Sequence, residues 1–266
     1  MMRPLLTFIS DFGNADWFVG VVHGVIYEIC PDARIADLTH SISPGDVGSA
    51  AFVLEAAAPD FPPGTIHLAV VDPGVGTNRL ALAVAAHGQL FVGPDNGVLD
   101  WAFQDPKARA RALVEDKFFR TPVSRTFHGR DVFAPVAAHL GCGVPIEAFG
   151  PAVEAPARRV RPDPIVRDGQ LIGRVAYLDR FGNALTDLTT RAITEAFPEA
   201  RPSQLIVEVV DRRITGIGRS YGDAPIGTLM ALIGSSGRLE IAEVGGHAAS
   251  RFGFGVGDRV TVRTAG

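Results

Sequence analysis

Around residues 152–168 the chain changes texture, and that change constrains its fold more than any other feature. The stretch is dense in proline and charge, the mark of a crossing between domains. Before it, strand-like and helix-like patterns alternate. Apolar runs at 5–9, 34–38 and 66–71 read as buried strands, and 80–85 and 89–92 as two more flanking a His87-Gly88 turn. Asp16 opens an amphipathic helix using Trp17, Val21, Ile26 and Ile29 and ending at Pro31. Further helices are expected at 44–58, from the Pro94-Asp95-Asn96-Gly97 turn through Phe103, and at 130–140. This alternation predicts an α/β N-terminal domain with a mainly parallel sheet over 1–155. After a linker at 156–168, short alternating runs at 171–178, 205–210, 238–243 and 259–262 are punctuated by glycine, and only 189–197 looks helical. The expectation for 169–266 is a small C-terminal β-barrel-like domain.

With 266 residues, 47% of them hydrophobic, both domains can have cores of their own. The net charge of -4, with no basic run, argues against a nucleic-acid partner. No stretch approaches the ~18 apolar residues of a membrane span, so no membrane partner is expected. The N-terminal apolar run is short and meets Asp11 at once, unlike a signal peptide, and a cytoplasmic location is the expectation. Cys30 and Cys142 form no CxxC, so neither a disulfide framework nor a thiolate metal site is suggested.

The richest local signal is VVDPGVGTNR at 70–79. A buried strand should end so that Asp72 sits at its exit, where α/β folds place their chemistry. Pro73, Gly74 and Gly76 let the backbone turn sharply, and Arg79 can return toward the same cleft. The alternative reading is a turn whose Asp72 and Arg79 form a structural pair. Asp11, Asp16, Asp37 and Asp95 also sit at strand ends or in turns, where caps and turns compete with ligand binding as explanations. Asp37 with His40, and His128 with Asp131, share a three-residue spacing that matches no ligand motif, so no metal site is expected. The GVG at 74–76 lacks the third glycine of a dinucleotide fingerprint, and no GxSxG is present. In TFHGRD at 126–131 a lone histidine precedes a helix, and it can either cap that helix or catalyse.

Seven motifs occur in order: SDFG at 10–13, DLTHSISPGD at 37–46, VVDPGVGTNR, FVGPDNGVL at 91–99, TFHGRDVFAP at 126–135, DRFGN at 179–183 and SSGRLEIA at 235–242. Together they closely resemble the S-adenosylmethionine hydroxide adenosyltransferase family, relatives of fluorinase and chlorinase. The resemblance spans essentially the whole chain. It implies a substrate, S-adenosyl-L-methionine, and no cofactor or metal. It also implies a homotrimer with sites at subunit interfaces. Asp72, Arg79 and His128 correspond to the set that handles water in the hydrolytic branch, and Asp11 to the aspartate that holds the ribose hydroxyls. Asp179, Phe181 and Asn183 match residues around the methionine amine and adenine. Ser235, Ser236 and the main chain near Ala248 match contacts to the methionine end or the adenine. His247 departs from the family's usual asparagine.

The halogenase branch has Tyr and Thr where this chain has Asp72 and Val75, and a halide-contacting Ser in place of Gly129. A carboxylate at 72 would repel a halide and accept a hydrogen bond from water, so the resemblance points to hydrolysis giving adenosine and L-methionine. Asp72 and His128 would orient the water, Arg79 would stabilise developing hydroxide, and Phe127 and Phe181 would keep the pocket dry. The rival readings are a halogenase at the same carbon and a non-catalytic sensor of S-adenosylmethionine or adenosine.

Overall fold

The run at 5–9 becomes the first strand of a sheet because its neighbours pack both of its faces. The computed structural model describes residues 3–159 and 163–265, and the chain divides into two compact units, 1–160 and 161–266. Residues 160–162 of the expected linker lie outside the described residues. Ala157 to Arg159 are bound to the first unit: Asp95 accepts from Ala157 N, and Asp100 pairs with both Arg158 and Arg159.

The first unit contains strands β1 (Leu5–Ser10), β2 (Arg34–Thr39), β3 (Ile66–Val70), β4 (Ala81–Ala86), β5 (Gln89–Pro94) and β6 (Arg109–Ala112), in the order β2-β1-β3-β5-β4-β6. The sheet is mixed rather than mainly parallel. β1 runs parallel to β2 and β3, and β3 parallel to β5, but β4 is antiparallel to both β5 and β6. The tight His87-Gly88 turn is the physical reason. His87 has φ 52° and Gly88 φ 72°, so the chain reverses in two residues where a parallel neighbour needs a crossover helix.

Helices α1 (Phe18–Ile29), α2 (Val47–Ala57) and α3 (Ala134–Gly141) cover the sheet. Phe8, Leu68 and Val70 point to one face with Val22 and Ile26 of α1 and Ala137 of α3, while Ile9, Ala69 and Val71 point to the other with Ala50 and Leu54 of α2. The period of two along each strand thus feeds two cores. Asp46 caps α2, its side chain accepting from Ser49 N at 2.9 Å. Asp16 does not open α1, which starts at Phe18, and Trp17 is 68% exposed rather than part of the apolar face. The expected helix through Phe103 is reduced to a short 3-10 turn at Ala102–Gln104. Its backbone bonds close in the tighter i→i−3 pattern, Ala102 N to Leu99 O, Phe103 N to Asp100 O and Gln104 N to Trp101 O, while the Asn96 side chain caps the turn at Val98 N and ties it to Val71 O.

The second unit contains β7 (Ile165–Arg167), β8 (Gln170–Leu178), β9 (Ala184–Thr189), β10 (Leu205–Val209), β11 (Arg212–Thr215), β12 (Ile217–Gly218), β13 (Leu229–Ile233), β14 (Arg238–Glu243) and β15 (Arg259–Thr264). The order β11-β10-β15-β8-β9-β14-β13-β12 curls into a nearly closed barrel-like sheet, with β7 added beside β8. Its two end strands, β11 and β12, are joined directly by Gly216, whose N donates to Leu205 O of β10. Leu171, Val175, Val207, Leu239, Ile241 and Val262 fill the interior. Helix α4 (Thr190–Ala196) follows β9, and α5 (Ala248–Phe252) contributes Ala248 and Ala249 to the core.

One polar pair is sealed inside the first unit. Thr7 and His67 face each other across β1 and β3, with Thr7 Oγ1 2.8 Å from His67 Nδ1, and both are fully buried. Burial pushes the His67 pKa down from 6.5 to about 4. Below pH 6.5 the unfolded chain therefore binds a proton that the folded chain refuses. Stability from this group is complete above pH 6.5 and is lost as pH falls to about 4, about 3 kcal/mol in all. Urea unfolding of wild type and His67→Gln across that range should show the steeper loss in wild type.

Candidate active site

β3 ends at Val70, and Asp72 follows two residues later, at the exit the sequence predicts. Gly76 then turns with φ 78°, where a Cβ would meet Arg125 O at 2.5 Å, so only glycine allows this return path. The turn brings Arg79 back onto Asp72. Arg79 Nε donates to Asp72 Oδ1 at 2.9 Å, and Arg79 Nη2 donates to Asp72 Oδ2, a bidentate pair. The two side chains are only 11% and 6% exposed. Phe133 lies under the guanidinium, its ring centroid 5.2 Å from Arg79 Cζ.

His128 completes the set from a third place in the sequence, with Arg79 Nη2 2.9 Å from its Nδ1. Arginine only donates, so Nδ1 carries the lone pair and Nε2 carries the proton. Burial first, and then the charge of Arg79, hold the His128 pKa below the ordinary 6.5. The imidazole is therefore neutral and presents an N–H donor. Asp95 stands near Arg79, and burial pushes its carboxyl pKa up.

The segment carrying His128 is not a plain helix. Residues Gly129–Phe133 form a π-helical turn before α3. Pro135 is the cause: it has no N–H to give Asp131 O, which accepts instead from Arg120 N at 2.9 Å. The Asp131 side chain is fully buried, taking hydrogen bonds from Ser124 N and from Arg130 Nε and Nη2. Phe127 is half-buried in an aromatic cluster, 5.7 Å from Phe12 and 5.4 Å from Phe18 between ring centroids. Asp11, at the exit of β1, accepts from Gly45 N at 2.8 Å and so joins two loops of the same unit.

In the second unit a cleft of about 830 Å³ is lined by Asp179, Phe181, Asn183, Ser235, Tyr221 and Glu240, among others. Asp179 Oδ1 accepts from the backbone of Phe181 and Asn183, and its Oδ2 from Asn183 Nδ2 at 3.0 Å, which folds DRFGN into a tight loop. Phe181 is left 73% exposed. Ser236 is not part of the cleft lining, and Ala248 is fully buried at the start of α5. His247 caps α5, Nδ1 accepting from Ser250 N at 3.1 Å, and its ring lies so close to Gly182 that a Cβ there would sit 2.1 Å from Nδ1.

Glu240 and Tyr221 escaped the sequence analysis. Glu240 is 6% exposed, and the Tyr221 hydroxyl donates to it. Burial raises both pKa values, so glutamate and phenol hold each other inside the cleft. The only sequence signal for them was a carboxylate inside the apolar run LEIA.

Residues 6–150 match the SAM hydroxide adenosyltransferase N-terminal domain and residues 173–261 its C-terminal domain. The chain belongs to the SAM hydroxide adenosyltransferase family. A curated relative named (R)-S-adenosyl-L-methionine hydrolase, from Salinispora tropica, is 44% identical over 269 residues, covering 99% of this chain and 98% of its own. A fluorinase from Nocardia brasiliensis is more distant, 26% identical over 98% of this chain and 97% of its own. Among solved structures, an uncharacterized conserved protein from Thermotoga maritima superposes with TM-score 0.91 at 36% identity, covering 97% of this chain and 99% of its own.

Within this family's N-terminal domain, the packing at Gly129 gives a direct test of how tightly the set is held. A Cβ at Gly129 would lie 3.2 Å from Phe12 Cζ and from Val70 Cγ1, and 3.5 Å from Phe127 Cε2. Gly129→Ser must push these side chains apart, and we expect it to destabilise the protein by about 1–3 kcal/mol. Chemical denaturation of variant and wild type measures this directly.

Proposed function

We propose that this chain hydrolyses S-adenosyl-L-methionine to adenosine and L-methionine by attack of water on C5′ of the substrate. The observation that carries the reading is Arg79 held between Asp72 and His128. A carboxylate oxygen that accepts one arginine N–H keeps a second lone pair, so Asp72 can take a hydrogen bond, and then a proton, from water. His128 turns an N–H outward and donates to the same oxygen, while the guanidinium charge steadies the hydroxide that develops. The water oxygen then bonds to C5′ as the C5′–S bond breaks and its electron pair returns to sulfur. The sulfonium is already a good leaving group, so this scheme calls for no acid, metal or redox cofactor.

The named relatives of Salinispora tropica and Nocardia brasiliensis frame the choice between water and halide. Asp72 favours water, because a carboxylate repels a halide at the attacking position. In the second unit the carboxylates of Asp179 and Glu240 line the cleft, and they suit a substrate whose methionine end carries positive charge, while Glu243 beside them is paired with Arg251. Asp11 would take the ribose hydroxyls, and Asn183, Phe181, Ser235 and the main chain near Ala248 the adenine and methionine ends. The proposal includes a homotrimer with sites at subunit interfaces, in which the exposed rings of Trp17 and Phe181 would be covered.

Incubation with S-adenosylmethionine in ¹⁸O-water, without halide, should give methionine and adenosine labelled at the 5′ oxygen. Asp72→Asn and His128→Ala should lower turnover about 10²–10⁴-fold while substrate affinity changes little. Unlabelled adenosine, or full turnover in both variants, would remove the proposal.

The neutral form of His128 is the active one in this scheme. Its lowered pKa keeps it neutral as pH falls past 6.5, so activity is lost only below that value. The kcat/KM profile should therefore be flat near neutrality, with an acid limb below pH 6.5 that is altered in His128→Ala. An acid limb above 6.5 belonging to His128 would contradict a His128 held neutral by burial and by Arg79.

A further inference from the structure

Behind the loop that carries Asp11, three side chains from two elements and the turn after them converge. His23 comes from α1, Asp37 from β2, and His40 from just beyond β2. His23 Nε2 lies 2.9 Å and His40 Nε2 3.2 Å from the same oxygen, Asp37 Oδ1, and one ligand atom from each residue falls within 4.8 Å of the other two. The three-residue spacing of Asp37 and His40 matched no ligand pattern. The fold supplies the third group, His23, from 14 residues earlier.

His40 is the telling member. It is 3% exposed, and Phe8 packs its ring at 4.6 Å. Its Nδ1 is 2.8 Å from Ser10 Oγ, which also accepts from Phe12 N. Its Nε2 is buried without a hydrogen bond, because the approach to Asp37 is close but out of line. Neither tautomer relieves this. With a proton, Nε2 meets Asp37 Oδ1 at 3.2 Å only in a bent contact. Without one, its lone pair faces a carboxylate oxygen. A cation between them resolves both cases, and Nδ1–H would then donate to Ser10 Oγ, the outer hydrogen bond that fixes a metal-bound imidazole.

We propose that His23, Asp37 and His40 form a binding site for a divalent transition-metal ion of the zinc class. Two imidazoles and one carboxylate favour zinc, cobalt or nickel over magnesium or calcium, which prefer all-oxygen shells. The observed separations from Asp37 Oδ1, 2.9 and 3.2 Å, are close to the roughly 3.3 Å between ligands about 2.0–2.1 Å from a tetrahedral zinc. Asp37 is 39% and His23 24% exposed, which gives the ion a path from solvent and leaves water its remaining positions. The role is structural. The site ties α1 to β2 and fixes His40, whose backbone oxygen accepts from Gly13 N in the Asp11 loop. No step of the proposed hydrolysis passes through it.

The test is titration of chelator-treated, tag-free protein with Co²⁺, followed by displacement with Zn²⁺. We expect one equivalent of Co²⁺ to give a visible absorption band that Zn²⁺ abolishes. His23→Ala removes a partly exposed side chain on a helix surface and should fold normally. It should lose the band and bind about tenfold more weakly or worse. Asp37→Asn should do the same, whereas His139→Ala, outside the cluster, should leave the band unchanged. No saturable band in wild type, or a band that persists in both His23→Ala and Asp37→Asn, would overturn the site.

Discussion

Arg79 has donors and nothing else, and the first unit is arranged around that fact. Every group it meets must be an acceptor. Asp72 answers with both carboxylate oxygens and His128 with Nδ1, so one cation fixes the orientation of a carboxylate and the tautomer of an imidazole. The three are nearly withdrawn from solvent at Asp72 and Arg79, where breaking the pair would leave an uncompensated charge costing about 3–5 kcal/mol. The set therefore holds or fails as a unit.

Each member is then anchored through main chain that cannot easily move. Asp72 leaves a strand buried on both faces, and Asn96 Nδ2 grips the carbonyl of Val71 just before it. Arg79 returns through a turn that only Gly76 can make. His128 precedes a π-helical turn opened by Pro135, and the carbonyl that Pro135 cannot use is taken by Arg120. Below it, the buried Asp131 carboxylate collects the Ser124 amide and the Arg130 guanidinium. Local irregularity here has specific partners, so the site is positioned by hydrogen-bond completion as well as by apolar packing.

Much of this was legible in the sequence, for physical reasons that also explain what was not. The exit of β3 at Asp72 and the return of Arg79 follow from an apolar run, a Pro-Gly turn and a seven-residue reach. The two-domain division follows from a change of periodicity. The antiparallel β4 was less legible, because an apolar strand pattern carries no direction, and only the two-residue His87-Gly88 turn decided it. The helix expected through Phe103 shortened to a 3-10 turn, because its backbone bonds close at i→i−3 rather than i→i−4. Glu240 was hidden because a buried carboxylate looks like a break in an apolar strand until its partner, Tyr221, arrives from 19 residues away. His23 was hidden for the same reason: its meaning lies in a neighbour that only the fold supplies.

Charge conservation gives the set its suitability for water and a sulfonium. Asp72, Arg79 and neutral His128 sum to zero, and the substrate brings one positive charge at sulfur. In the proposed hydrolysis that charge would vanish as hydroxide bonds to C5′, the C5′–S bond breaks and a proton arrives on Asp72. The sulfonium charge and the Asp72 charge would cancel together with no new ion created, and Arg79 would stay without its partner until Asp72 gives the proton up. A halide would change this balance. It brings a negative charge against the Asp72 carboxylate and has no proton to give it, so the repulsion has no later repayment. Charge at this set would thus favour a nucleophile that arrives neutral.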